Sequence, residues 1–278
     1  MERLSPAKVN LYLRVLGKRT DGYHNIATLM QKISLYDELI FRPIKQGIVI
    51  KCPDSALPED ENNIVYRAAR SLLSLSSFQG GIEITLKKNI PLAAGLGGGS
   101  SDAATTLMAL NDLFHLGLTR DRLIQIGATL GADVPFFIFG QRAWAFGIGD
   151  KLLPAPENLP KMWFVLINPR FGVSTKKVYE GLNFGLTKGL INYSIPRFCT
   201  VNDLAVGLHN DLEKVTLKDH PKLSELKELL MGHGAKGALM TGSGPTVFGL
   251  FAEEDAAVAA EDSLKKTEAW SVFRAHSL

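Results

Sequence analysis

The chain has 278 residues, of which 46% are hydrophobic and 21% charged, with a formal net charge of +3. That balance excludes wholesale disorder, and so small a charge leaves no electrostatic footprint for nucleic acid or an anionic membrane surface. Its two cysteines, Cys52 and Cys199, exclude a disulfide scaffold and are expected to be buried, reduced thiols of a cytoplasmic protein.

At roughly 100–200 residues per domain the length fits two domains sharing a cleft. No segment approaches the ~20 apolar residues that span a bilayer, and Met1 to Lys8 lacks the apolar core of a signal peptide. Val9, Leu11, Leu13 and Val15 alternate with Lys8, Asn10, Tyr12 and Arg14, so the period predicts a strand with one buried face. Lys8, Asn10 and Tyr12 then share the opposite face, which is either solvated or functional. Gly17 to Gly22 reads as a turn that delivers Tyr23 and His24 ahead of an apolar stretch from Ile26 to Leu39.

Helical spacing over 62–75 places Ile64, Ala68, Leu72 and Leu75 on one side, and Ile82, Ile84 and Leu86 alternate as a strand. That strand leads into Pro91-Leu92-Ala93-Ala94-Gly95-Leu96-Gly97-Gly98-Gly99-Ser100-Ser101-Asp102, after which Ala103, Leu107, Leu110 and Phe114 keep helical spacing. Thr119 is placed to cap a further helix that stops near Gly131, followed by Ala132-Asp133-Val134-Pro135 and an aromatic run to Phe139. The prolines of Pro154 to Pro160 mark a linker. Beyond it the pattern predicts a strand over 163–167, a helix over 175–182 opened by Ser174, and an irregular stretch over 185–196. Helices near 211–217 and 223–231 follow, then strands at 239–240 and 247–251 around Thr241-Gly242-Ser243-Gly244-Pro245, a helix over 255–264 and a strand over 270–273. Strands and helices alternate in both halves, so the class is mixed α and β.

A strand that enters a glycine-rich loop and leaves as a helix is an anion site: glycines allow close approach, and the helix end presents free N–H groups and a positive dipole. Ser100 and Ser101 can cap that helix, and with Asp102 they could face phosphate or a metal. The loop has no lysine, so it is no Walker motif, and Ser100 stands where a dinucleotide fingerprint needs its third glycine. His-Arg-Asp and Asp-Phe-Gly signatures are missing, and the six histidines show no zinc-ligand spacing.

The Pro-x-x-x-Gly-Leu-Gly-Gly-Gly-Ser-Ser pattern of 91–101 resembles the phosphate loop of the GHMP kinase superfamily. Ser5-Pro6-Ala7-Lys8-Val9-Asn10, Asp21-Gly22-Tyr23-His24, Gly131-Ala132-Asp133-Val134-Pro135 and Thr241-Gly242-Ser243-Gly244-Pro245 extend the resemblance over nearly the whole chain. They match a branch that phosphorylates the 2-hydroxyl of a cytidyl diphosphate substrate in the non-mevalonate route to isoprenoid precursors. The resemblance implies a two-domain α+β fold: an N-terminal ribosomal protein S5 domain 2-like domain, taken as 1–155, and a ferredoxin-like C-terminal domain, 156–278. The active site would lie in the cleft between them.

By the same resemblance Pro91, Leu92, Ala93, Ala94, Gly95, Leu96, Gly97, Gly98, Gly99, Ser100 and Ser101 bind ATP, and Asp133 is the base that takes the hydroxyl proton. Lys8 suits the partner role, holding Asp133 ionised and neutralising charge on the moving phosphoryl group. Asn10, Tyr23, His24, Tyr179, Thr241 and Gly242 are the candidate substrate contacts. Tyr23-His24 would meet the cytosine, with Tyr179, or else Phe171, as a second aromatic on it. Ala93 stands where relatives often carry glycine, a small loss if its φ is negative. Mg²⁺ is implied as a cofactor, but its ligands are unknown. The expected partners are ATP and the small-molecule substrate, with no nucleic acid and no membrane, in a monomer or weak homodimer. The alternatives are another kinase of the superfamily, acting on homoserine, mevalonate or a sugar, and a nucleotide-binding protein without catalysis.

Overall fold

A computed structural model describes residues 1–75, 80–155, 159–182, 196, 198–266 and 269–278. The centre of the expected linker, 156–158, lies outside the described residues, as does the expected irregular stretch 185–196 apart from Pro196. In chain order the elements are β1 (Glu2–Lys18), β2 (His24–Ile44), β3 (Ile48–Lys51), α1 (Ile64–Leu73), β4 (Gly81–Lys87), α2 (Gly98–Leu113), α3 (Arg120–Leu130), α4 (Val134–Phe139), β5 (Arg142–Gly147) and β6 (Lys151–Pro154). They continue with β7 (Trp163–Asn168), α5 (Thr175–Glu180), α6 (Val201–Gly207), β8 (His209–Asn210), α7 (Glu213–Asp219), α8 (Lys222–Gly232), β9 (Gly237–Met240), β10 (Val247–Phe251), α9 (Glu254–Leu264) and β11 (Ser271–His276).

The chain packs as two units, and both draw on its amino-terminal half. The first comprises Met1–Ala7, Leu35–Ile90 and Gly97–Gln141, and the second Lys8–Ser34, Pro91–Leu96 and Arg142–Leu278.

In the first unit β4 runs antiparallel to the end of β2, with Leu39 opposite Leu86, and parallel to β3, with Ile50 opposite Ile84. Helices α1 to α4 pack on one another, burying Val65, Ala68, Leu72, Ala103, Leu107, Leu110, Phe136 and Phe137. The local signals behave as their chemistry requires. Asn63 caps α1 by accepting from the Val65 N–H, and Thr119 caps α3 by accepting from Arg122. The aromatic run after Asp133 forms the short helix α4, with Pro135 in its first turn where its missing N–H costs nothing.

In the second unit β7, β9, β10 and β11 form an antiparallel sheet in the order β11-β7-β10-β9. That is fourth, first, third, second in chain order, the ferredoxin-like arrangement. Helix α8 packs on β9 and β10, and α9 on β7, β10 and β11. Their seam buries Val165, Ile167, Leu226, Leu230, Met240, Val247, Phe251, Ala257 and Leu264. In the same unit β2 pairs antiparallel with β5, β5 with β6, and β1 pairs parallel with β8 at Tyr12↔His209.

One expectation needs correction, and one alternative is decided. Cys52 is buried, but Cys199 is exposed, because it lies just before the capping box that Thr200 and Asp203 build at the start of α6. The face of β1 that carries Lys8 and Asn10 is not solvated: they are 4% and 3% exposed.

Candidate active site

Two buried polar side chains on one strand need partners, since an unpaired one costs more than its hydrogen bond returns. Lys8 Nζ donates to Asn10 Oδ1 at 2.6 Å and to the Gly95 carbonyl at 2.9 Å. Asn10 Nδ2 donates to Thr28 Oγ1 at 2.8 Å, and Thr28 in turn donates to the Tyr12 carbonyl at 2.7 Å. The Asn10 N–H donates to Thr241 Oγ1 at 3.1 Å, and the Lys8 N–H to the Leu96 carbonyl at 2.9 Å. Six of the residues singled out from sequence thus meet within one unit: Lys8, Asn10, Gly95, Leu96, Thr241 and Gly242. Gly242 has φ +58, which favours glycine, and a Cβ built on it would stand 3.2 Å from the Gly95 carbonyl oxygen and 3.4 Å from Lys8 Nζ.

The glycine loop is held from that side. Gly95 has φ +78, and a Cβ there would overlap the Thr241 carbonyl. Gly97 has φ +70 and occupies the cap position of α2 without a side-chain hydrogen bond. Ser100 and Ser101 therefore do not cap this helix, which begins at Gly98. Ser101 is fully buried, its hydroxyl accepts from Ser5 at 2.8 Å, and its N–H already donates to the Gly97 carbonyl. The N–H groups of Gly98, Gly99 and Ser100 form the first turn and have no intrahelical acceptor, which is what an anion requires. Ala93 has φ +50, not the negative value that would have made its methyl harmless.

Asp133 belongs to the first unit, at the cap position of α4. Its carboxylate makes no capping hydrogen bond, so helix capping does not explain an acid there.

The loop before His24 is built by charge. Arg19 donates to the Asp21 carboxylate from Nε and from Nη2, the latter at 2.7 Å, and Asp21 accepts from the Tyr23 N–H at 3.1 Å. The Arg19 hydrogen bond holds the Asp21 carboxyl below its usual range. Gly22, with φ +89, makes the turn. Tyr23 ends 61% exposed, whereas His24 is buried with Nε2 lacking a hydrogen-bond partner among the described residues. The aromatic ring that faces His24 is Tyr179, at 5.2 Å between centroids and tilted 32°. Phe171 instead stacks on His220 at 4.8 Å.

Comparison with known proteins decides what such a site belongs to. The model of the GHMP kinases N-terminal domain matches residues 63–141, and that of the GHMP kinases C-terminal domain matches 200–269. A 4-diphosphocytidyl-2-C-methyl-D-erythritol kinase of Syntrophus aciditrophicus is 63% identical over 275 residues, 99% of this chain and 98% of the relative. One of Geobacter metallireducens is 49% identical over 276 residues, 99% and 97% of the two chains. A crystal structure of 4-(cytidine 5'-diphospho)-2C-methyl-D-erythritol kinase superposes with a TM-score of 0.83 at 36% identity, covering 100% of this chain and 99% of that one.

The chain belongs to the GHMP kinase family. A homoserine kinase of Cytophaga hutchinsonii, at 20% identity and a TM-score of 0.73 over 100% of this chain and 94% of that one, shares the fold alone.

Several residues that support these candidates within their own unit carry no signal of their own in the sequence. Asn210 Nδ2 donates to the carbonyls of Met240 and Gly242 at 2.7 and 2.8 Å and so fixes the second glycine turn. Thr175 and Ser243 share a hydroxyl hydrogen bond of 2.8 Å. In the first unit Lys88 bridges Asp37 and Asp102, all three side chains being at most 5% exposed. A lone asparagine or lysine reveals such a role only through distant partners. A charged residue next to an anion loop, such as Asp102 after Ser101, was the one usable hint.

Proposed function

We propose that this GHMP kinase transfers the γ-phosphoryl group of ATP to the 2-hydroxyl of 4-diphosphocytidyl-2-C-methyl-D-erythritol, on the non-mevalonate route to isoprenoid precursors. The observation that carries the proposal is the buried set in which Lys8 bonds Asn10 and the Gly95 carbonyl of the glycine loop. It joins the candidate catalytic ammonium to the candidate phosphate cradle, 91–101. Phosphoryl transfer asks mainly for positioning and charge stabilisation: the N–H groups at the start of α2 hold phosphate oxygens, and Lys8 offsets charge on the transferring group. Asp133 takes the proton of the attacking hydroxyl. The domain boundary is placed at 155/156, which separates the two stretches that match the family models.

His24 is assigned to the cytosine. Burial, and secondarily the charge of Lys18, push its pKa down, so at neutral pH the ring offers one donor and one acceptor. His24 and Tyr179 already touch, whereas a base stacked between them needs about 7 Å, twice a ~3.5 Å contact. Base entry therefore displaces Tyr179. Thr241 and Gly242 would face the substrate diphosphate, and Asn10 the substrate or Lys8.

Mg²⁺ is proposed to accompany the ATP phosphates. Ser101 and Asp102 do not fit as its ligands, because Ser101 is buried against Ser5 and Asp102 is bonded to Lys88 at 2.8 Å. Among the described residues no group of three or more His, Cys, Asp or Glu could hold a metal. Hard Mg²⁺ would then rely mainly on phosphate oxygens and water, with Ser100 as the remaining candidate among Ser100, Ser101 and Asp102. The protein is placed in the cytoplasm; among the described residues no helix is long and apolar enough to cross a membrane.

Assay of ATP turnover on the cytidyl substrate, homoserine and mevalonate tests the substrate, and preference for a substrate without the cytidyl group overturns it. Asp133→Ala is expected to keep ATP binding while kcat falls ~10²–10⁴-fold, the range for a positioned acid or base. Near-wild-type turnover removes Asp133 from the mechanism.

A further inference from the structure

The glycine loop is flanked by a buried cluster of ions that the proposed reaction does not use. Asp37, on β2, is fully buried, and one of its carboxylate oxygens accepts from two successive backbone N–H groups, Asn89 at 2.7 Å and Ile90 at 2.8 Å. These are the last two residues before the loop opens at Pro91. Its other oxygen accepts from Lys88 Nζ, and the same ammonium donates to Asp102 at 2.8 Å. Asp102 lies in the first turns of α2, directly after Ser101 closes the loop. Lys88 Nζ also lies 3.2 Å from where a Cβ on Gly98 would stand, at the first residue of that helix.

Such a cluster is an expensive way to gain stability. Taking three charges out of water costs more than their attraction returns unless the geometry is tight, and apolar residues of similar size often do as well. It does supply a fixed distance between two chain segments. From the chemistry of the site, that distance sets the gap across which eleven residues, 91–101, must arch.

We infer that Lys88 is a positioning residue for phosphate binding: through Asp37 it fixes the chain entering the glycine loop, and through Asp102 the helix leaving it. The inference rests on the assignment of 91–101 to the ATP phosphates. Lys88 acts through the loop's two ends and needs no contact with phosphate. Preorganisation of this kind lowers the cost of ordering a loop on binding, so its loss falls on affinity before it falls on chemistry.

Lys88→Met alone leaves two buried carboxyls without their cation and can fail to fold. The charge-reduced pair Lys88→Met with Asp102→Leu removes the bridge while leaving Asp37 its two N–H donors, and Asp102→Asn keeps an oxygen for Lys88. Steady-state kinetics and melting are measured on all three, together with Gly99→Asp. Gly99 is exposed in the first turn of α2 and has room for a side chain, where a carboxylate suits the helix but repels phosphate.

The expected result is an ATP KM raised about tenfold or more in the double variant even where its melting point matches the native one, a smaller change in kcat, and a near-native ATP KM in Asp102→Asn. An ATP KM that returns to the native value along with the melting point makes the cluster structural only and overturns the inference. Gly99→Asp separates the two levels. If it leaves the ATP KM unchanged, the loop assignment itself fails. If it raises the ATP KM while the double variant does not, only the clamp fails.

Discussion

Lys8 and Gly95, 87 positions apart in the chain, are joined by a 2.9 Å hydrogen bond from the lysine ammonium to the glycine carbonyl. The bond ties the orientation of the charged group to the shape of the loop, because the ammonium donates both to Asn10 and to that carbonyl in a site 4% exposed. Lys8→Ala should therefore lower kcat by ~10²-fold or more through loss of charge stabilisation. It should also cost about 1–3 kcal/mol of stability from the acceptors left behind. Lys8→Arg should not restore activity, since a planar fork does not fit a site shaped for a point charge. Kinetics with parallel denaturant melts check both.

Ala93 holds φ +50, a conformation that costs a residue with a Cβ about 1–2 kcal/mol. Glycine relieves this but loses more chain entropy on folding, about 0.4–1 kcal/mol. Ala93→Gly is expected to stabilise the protein by roughly 0.5–1 kcal/mol, measured by urea denaturation. A destabilised variant would mean that the methyl's packing contributes more than the strain costs.

His24 gives the site a pH dependence of definite sign. Its folded pKa lies below the ordinary value, because burial disfavours the cation. The unfolded chain then binds more protons than the folded one around and below pH ~6.5, so stability falls as the pH drops through that range. The same protonation removes the acceptor proposed for cytosine. The KM for the cytidyl substrate should rise on acidification below pH ~6.5 while kcat changes less, and His24→Gln should flatten that rise. A KM independent of pH in the native enzyme would exclude His24 from base recognition.

Asp102 has the opposite sign. Burial pushes its carboxyl up to about 7, against the pull of Lys88 and with a push from Asp37. One of its oxygens is buried without a hydrogen-bond partner among the described residues, which also favours the neutral form. Between the unfolded value of about 4 and pH ~7 the folded protein holds the extra proton, so its contribution is lost as the pH rises through that window. The melting point of Asp102→Asn relative to the native protein should be higher at pH 8 than at pH 5. An equal difference at both values would show that Asp102 stays ionised throughout.

The strands and helices with a regular apolar period were legible in the sequence, since periods of two and 3.6 follow from backbone geometry alone. The caps Asn63, Thr119 and Ser174 fall at the starts of α1, α3 and α5, although the sequence pointed only to the last two. Helix α4 and strand β5 went unread because Phe136 to Phe139 and Ala143 to Phe146 are apolar runs too short to show a period, and β6 because its four residues, Lys151–Pro154, are mostly exposed and carry no alternation. Lys8, Asn10 and the glycine turns were found through spacing and resemblance. The left-handed backbone of Ala93 and the Lys88 bridge were not, because both are set by partners far away in the chain. Tyr23 and His24, adjacent in sequence, proved unlike: one is mostly in solvent, the other is packed against Tyr179.

The two cysteines differ in a way that makes the molecule its own reporter. Cys199 is open to solvent, while Cys52 is 4% exposed, and burial raises its thiol pKa. A maleimide dye therefore labels Cys199 at once under native conditions. Thereafter the slow uptake of a second equivalent counts the openings of the segment between β3 and α1, a clock that runs without any engineered residue.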